Sequence, residues 1–236
     1  MGLWERFTRD PFGFITRGLY KTIIGPLKYG RRDGYDAARY WHDRFLKHGP
    51  SLKAVGDEGL SHAENARVYA QAGNVFAEVC RKEAIDFKGA RVLEIGCGAG
   101  FYTQLFHSHG VKSYLGVDVT DVFFPELKSR FPEFEFVRKD ITADRIEGTF
   151  DLVIMIDVIE HIVTDSKFAG AMQRVKDCLA KDGVFIVSPM VEGSQKRLFY
   201  QRFWSLGDVK PRFPGCVFRE LTPFRDAQML AIRTAA

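Results

Sequence analysis

From Ala90 onward the chain alternates short apolar runs with segments of helical period. The runs lie at 91–95, 113–117, 134–137, 150–156 and 183–189, and helix candidates at 100–109, 121–131 and 165–180 separate them. In the last helix Phe168, Met172, Val175 and Leu179 share one face. Strands of mostly apolar residues joined through helices need crossover connections, so they build a parallel sheet covered on both faces. After residue 190 the rhythm breaks into a basic, aromatic stretch from Lys196 to Phe213. A solvated amphipathic helix with Phe and Trp turned inward is the expectation for it when it carries no function. Two further strand candidates follow at 216–222 and 227–233, joined only by Pro223-Phe-Arg-Asp226. So short a link makes an antiparallel hairpin. The expected fold is α/β: a three-layer sandwich around a doubly wound, mostly parallel seven-stranded sheet with an antiparallel C-terminal edge hairpin.

The first 60 residues read as a separate helical N-terminal extension ahead of a domain spanning 61–236. Pro11, Gly13, Gly25, Pro26, Gly30 and Gly34 divide its start, and a helix from Asp36 to Leu46 stops at His48-Gly-Pro50. Ser61 and Glu64 make a capping-box pattern, each side chain able to satisfy a free N–H of the first turn. Val68, Ala72, Val75, Phe76 and Val79 then follow as a core stripe. Residues 1–54 hold eleven Lys/Arg against five Asp/Glu, whereas the whole chain has a net charge of only +4. A basic leader rich in Trp, Tyr and Phe suits a lid over a pocket or a docking arm. It also suits peripheral contact of residues 1–35 with an anionic membrane face.

With 46% hydrophobic and 27% charged residues, the chain can bury a core and is not a disordered one. Cys80, Cys97, Cys178 and Cys216 have neither disulfide-framework nor zinc spacing, so reduced thiols are expected. His107 and His109 lack a third ligand and read as surface residues, and no metal centre is expected. Without a transmembrane-length apolar run or a signal-peptide core, the expected location is cytoplasmic, with room for peripheral attachment to the inner membrane face.

The chemistry centres on Val92-Leu-Glu-Ile-Gly-Cys-Gly-Ala-Gly100, an apolar strand entering a glycine-rich turn that opens a helix. In a doubly wound sheet this first strand-to-helix loop is where a nucleotide-like ligand binds. A dinucleotide fingerprint needs glycine at its first, third and sixth positions, and the sixth here is Phe101. Glu94 also opposes a pyrophosphate but suits an ammonium. Both features disfavour a nicotinamide oxidoreductase and favour a dipolar ligand without phosphate, such as S-adenosylmethionine.

Taken in order, the motifs over residues 61–233 resemble the class I S-adenosylmethionine-dependent methyltransferases of small-molecule type. Residues 92–100 are similar to the first motif. Tyr114-Leu-Gly-Val-Asp118 is similar to the second, its acid 22 residues past Gly96. Phe136-Val-Arg-Lys-Asp140-Ile141, Phe150 to His161 and Leu179 to Val187 resemble the three that follow. The resemblance implies a cofactor site of Glu94, Gly96, Cys97, Gly98, Gly100, Asp118, Val119, Asp140, Ile141, Ile156 and Asp157. Asp118 would take the ribose diol, Asp140 the adenine amino group and Ile141 the ring face.

Catalytic candidates at the end of the fourth strand are His161, Asp157 and Glu160: Asp157 at the methionine end of the cofactor or the substrate boundary, and His161 either as general base or as a cap that holds the following turn. Tyr40, Trp41, Arg197, Tyr200 and Trp204 are candidates for the acceptor side. The implied reaction is methyl transfer to a small molecule, oxygen first, in secondary-metabolite, sugar or quinone-type biosynthesis. A lipid-linked acceptor and a non-catalytic S-adenosylmethionine-binding partner or sensor are the rivals. Strand four ends in Ile-Asp-Val-Ile-Glu-His, without the Asn/Asp-Pro-Pro-aromatic motif of base-amino methylation, which argues against nucleic acid.

Overall fold

Side-chain alternation along the central strands divides the interior into two cores, one on each face of a single sheet. Val92, Leu152, Ile154, Val184 and Ile186 face one layer of helices, and Leu93, Val153, Met155, Phe185 and Val187 face the other. The computed structural model describes residues 3–234; Met1, Gly2, Ala235 and Ala236, at the two ends of the expected domains, lie outside the described residues.

The leader comprises α1 (Leu3–Arg9), α2 (Pro11–Leu19), a π turn (Tyr20–Ile24), α3 (Gly25–Tyr29), the minimal hairpin β1 (Gly30–Arg31) and β2 (Gly34–Tyr35), α4 (Ala37–His48) and α5 (Leu52–Val55). Asp36 caps α4 by accepting from the Arg39 N–H at 3.1 Å. The body begins with α6 (His62–Lys82), β3 (Arg91–Ile95), α7 (Phe101–Ser108), β4 (Ser113–Asp118), α8 (Phe124–Arg130), β5 (Glu135–Arg138) and β6 (Phe150–Ile156). A 3-10 turn (Ile159–His161), α9 (Asp165–Cys178), β7 (Leu179–Val191), β8 (Gln195–Leu198), β9 (Gln201–Ser205) and α10 (Leu206–Val209) follow. The chain closes with β10 (Val217–Phe218), β11 (Thr222–Phe224) and β12 (Ala227–Arg233).

The capping box of α6 forms as its sequence implies, with the Glu64 N–H donating to Ser61 Oγ at 3.2 Å and the Ser61 N–H to Glu64 Oε2 at 2.8 Å. Its buried face is centred on Tyr69, Ala72, Gly73 and Phe76, leaving the expected Val68 and Val75 only half-buried.

The sheet order is β10-β12-β7-β6-β3-β4-β5, with β11 also beside β12. Pairs from β7 to β5 are parallel, and β12 runs antiparallel to β7. The doubly wound sheet with an antiparallel edge hairpin is thus present. The expected strand at 216–222 is split: β10 and β11 both pair with β12, interrupted at 219–221. The order reverses at β3, between β4 and β6, and that reversal opens a crevice at the carboxyl ends of β3 and β6.

The stretch 196–213 departs from the helical expectation. Its first half forms the antiparallel β8–β9 hairpin, and β9 satisfies the free edge of β7 at Met190 and Val191, while only α10 and a 3-10 turn at Lys210–Arg212 are helical. Phe199 and Tyr200 at the hairpin tip enter a third cluster with Tyr29, Tyr35 and Tyr40 of the leader, so tertiary partners outweigh local helical preference.

Candidate active site

The crevice is an open cleft of about 1090 Å³, counting the space at its mouth. Its floor is the glycine turn after β3. Gly96, Gly98 and Gly100 all have positive φ, and a β-carbon at Gly96 would lie 2.2 Å from a methyl of Val158 in the loop after β6. The two loops of the switch point therefore meet only because residue 96 has no side chain. Gly100 turns the chain into α7 and does not reach the cleft wall.

Asp118, at the end of β4, is buried and organises that turn. One carboxylate oxygen accepts from the Gly98 N–H at 3.0 Å and the other from the Thr120 N–H at 3.2 Å. Burial raises its pKa to about 6, against these hydrogen bonds. Asp140, at the end of β5, is held by the Thr142 N–H and Oγ1 at 2.8 and 2.7 Å, and Ile141 lies beside it.

Glu94 is buried with Oε2 accepting from Tyr114 at 2.5 Å and Thr103 at 3.1 Å; burial pushes its pKa up to about 8. Because the folded value exceeds the ordinary 4.5, its contribution to stability is complete at low pH and disappears as pH rises through about 8. His161 acts oppositely, but its contribution is already complete above 6.5. Between pH 6.5 and 8, Glu94 should therefore cost the cofactor-free protein about 2 kcal/mol. Thermal unfolding across that window should show a decline that Glu94→Gln reduces; identical slopes for the two proteins would refute this.

Asp157, with φ of +58°, ends β6 on the cleft wall and pairs with Arg225 at 2.7 Å. Burial raises the Asp157 pKa and Arg225 lowers it. Arg225 comes from the β11–β12 turn, 68 residues away, and sits over the rings of Tyr69 and Phe224. Nearby, Tyr102 borders the cleft with its buried hydroxyl unpartnered.

His161 lines the cleft edge-on to Trp41, ring centres 4.8 Å apart. Its Nδ1 lies 2.9 Å from the Tyr200 carbonyl, which only accepts, so Nδ1 carries the proton and Nε2 keeps a lone pair. Burial lowers its pKa to about 4. Glu160 is buried behind it, off the cleft wall, with Oε1 3.8 Å from Nε2.

Glu94, Gly96, Cys97, Gly98, Asp118, Val119, Asp140, Ile141, Ile156, Asp157, His161 and Trp41 are thus brought onto one cleft. Four acceptor-side candidates are placed elsewhere. Trp204 is in the core, stacked 3.8 Å from Phe168 with its N–H donating to the Ile162 carbonyl. Arg197 lies over Phe203, and Tyr40 and Tyr200 stack on each other one ring behind the wall. Trp204, Tyr40 and Tyr200 gain more from full burial than from a half-open cleft, whereas the Arg197 cation stays at the surface over an aromatic face. The wall instead uses Tyr35 and Phe45 from the leader and Tyr69 from α6, none singled out by local pattern. Among the described residues no cluster of His, Cys, Asp or Glu is suited to a metal, and no helix is long and apolar enough to cross a membrane.

A glycine turn at the switch point of this sheet, with acids ending the next two strands, defines a Rossmann-like methyltransferase fold. Residues 92–183 match the family model described as a methyltransferase domain. Over those residues the chain carries a methyltransferase domain, similar to the S-adenosylmethionine-dependent class that its motifs resemble.

The tRNA U34 carboxymethyltransferase of Pseudomonas savastanoi is 32% identical over 115 residues, covering 45% of this chain and 34% of that protein. The chain thus spans about a third of the length of that curated relative. Among solved structures, the S-adenosylmethionine-bound amino pentose methyltransferase CalS10 from Micromonospora echinaspora aligns with TM-score 0.59 at 16% identity, over 75% of this chain and 98% of that one. The 1,6-didemethyltoxoflavin-N1-methyltransferase of Burkholderia thailandensis aligns with TM-score 0.56 at 16% identity, over 84% and 85%.

The residues present fit the cofactor of this class. Glu94 offers a buried carboxylate for an ammonium, Asp118 an acceptor for a diol, and the unpartnered Tyr102 hydroxyl a donor beside them.

Proposed function

We propose that the protein methylates a small, ring-bearing acceptor, with a hydroxyl oxygen as the favoured nucleophile. The single observation that carries this reading is the His161 imidazole, tautomer set by Tyr200, with Nε2 free on an aromatic-walled cleft. When bound, S-adenosylmethionine supplies a methyl group on a positively charged sulfur, so no acid is needed for the leaving group. Glu94, Asp118, Asp140 and Ile141 hold the cofactor, as the motifs imply. Asp157, steadied by Arg225, borders its methionine end. Trp41, Tyr35 and Phe45 of the leader hold an acceptor ring and exclude water.

His161 Nε2 takes the hydroxyl proton as the oxygen attacks. The imidazolium that forms lies 3.8 Å from Glu160 Oε1, and its proton passes to water when the cleft opens to release the product. An amine acceptor needs only the placement, which makes nitrogen the second choice.

Purified protein should be incubated with S-adenosylmethionine, a panel of phenols, sugars and amines, and a tRNA fraction, and products weighed for one added methyl group. Methylation of tRNA alone would overturn the small-molecule reading. On a hydroxyl acceptor, His161→Gln should lower kcat about 100-fold or more while leaving cofactor affinity within a few-fold. A kcat loss of less than a few-fold would remove the base from the mechanism.

A further inference from the structure

Large apolar side chains that are exposed are concentrated in one place. Of ten among the described residues, eight lie between Trp4 and Leu27. Backbone angles stay helical through Leu19, Tyr20, Ile24 and Gly25, so residues 11–29 form one continuous helix about 28 Å long.

Phe12, Ile15, Leu19, Ile23 and Leu27 make a stripe along it, 48–83% exposed. Spacing by four advances an α-helical stripe by about 40° each time. The wider turn at Tyr20–Ile24 rotates less per residue and brings the stripe back into line. The opposite side is anchored: Gly25 leaves room for Phe199, and the Tyr29 hydroxyl donates to Asp43 at 2.9 Å. Among the described residues the apolar face therefore has no partner.

Charge decides what covers it. Residues 1–32 hold seven Lys/Arg and only two Asp/Glu, and where the helix ends Lys28, Arg31 and Arg32 are exposed, the first two also paired with Asp43 and Asp36. A second copy would bring two strongly cationic segments together. An anionic bilayer offers acyl chains to the stripe and phosphates to its flanks.

We propose that the 11–29 helix lies in the surface of an anionic lipid bilayer, its Phe12–Leu27 stripe at the headgroup–acyl boundary. Tyr29, at the helix end, packs against Tyr40 and Phe199, which adjoin the cleft-lining Tyr35 and Trp41, so the docked helix is close to the cleft wall. This surface does not depend on the methyl-transfer reading.

Flotation of the full chain with phosphatidylglycerol–phosphatidylcholine vesicles, against pure phosphatidylcholine vesicles, tests it. Wild type should float with the anionic vesicles, more weakly with neutral ones, and less as salt is raised. The triple variant Ile15→Glu, Leu19→Glu, Ile23→Glu changes only exposed positions and should partition about tenfold or more less. Cofactor titration reports separately that its cleft is intact. No flotation of wild type, or equal flotation of the variant, overturns the proposal. A wild-type dimer in sedimentation that the variant abolishes, without flotation, assigns the face to a second copy and also overturns it.

Discussion

Asp118→Ala is expected to weaken S-adenosylmethionine binding about 100-fold or more, the equivalent of at least two hydrogen bonds to a charged acceptor. Two losses add. The ribose hydroxyls lose the carboxylate implied to receive them, and the Gly98 and Thr120 N–H groups lose the acceptor that orders the turn. Asp118→Asn separates the two, because its carbonyl can still accept one of those N–H bonds; it should lose only about tenfold. Calorimetric titration of S-adenosylmethionine and S-adenosylhomocysteine measures both. Wild-type affinity in the alanine variant would mean that the cofactor does not sit against β4 at all.

Gly96→Ala should destabilise the protein by about 3 kcal/mol and abolish measurable cofactor binding. The left-handed backbone at +78° costs an alanine about 1–2 kcal/mol. The contact at 2.2 Å with Val158 adds an overpacking penalty of similar size. In a chain of this length the sum lowers Tm by roughly 6–12 °C. The neighbour is a side-chain methyl, not backbone, so Val158→Ala in the Gly96→Ala background should recover part of the loss. Absence of any recovery would place the cost in backbone strain alone and refute the close approach of the two loops as its cause.

Much of the site was legible because its signals are local. A strand that enters Gly-x-Gly-x-Gly, and an acid that ends each of the two strands after it, are each a pattern contained within a few residues. Arg225 was not, because nothing in a Phe-Arg-Asp turn distinguishes it from any hairpin turn until β12 pairs with β7 and carries it to Asp157. The aromatic residues were the least legible. Tyr35 and Phe45 on the wall, Tyr40 one ring behind and Trp204 in the core have the same local character, and packing alone sorts them. The exposed stripe of the leader was obscured for another reason. The α-helical period loses phase at the wider turn from Tyr20 to Ile24, so the stripe does not line up at that period.

What the amino-acid order determined by itself is the alternation of strand and helix, the reversal point that this alternation forces, and the glycine turn and acids that occupy it. Those follow from side-chain period and backbone freedom, which act over a turn or a strand. What only the tertiary structure decided is which aromatic rings wall the cleft, which cation answers Asp157, and that His161 is held with a free Nε2. Each depends on segments 39 to 68 residues apart or on a leader folding back over the body, and such contacts are set by packing across the whole chain, not by any local run of residues.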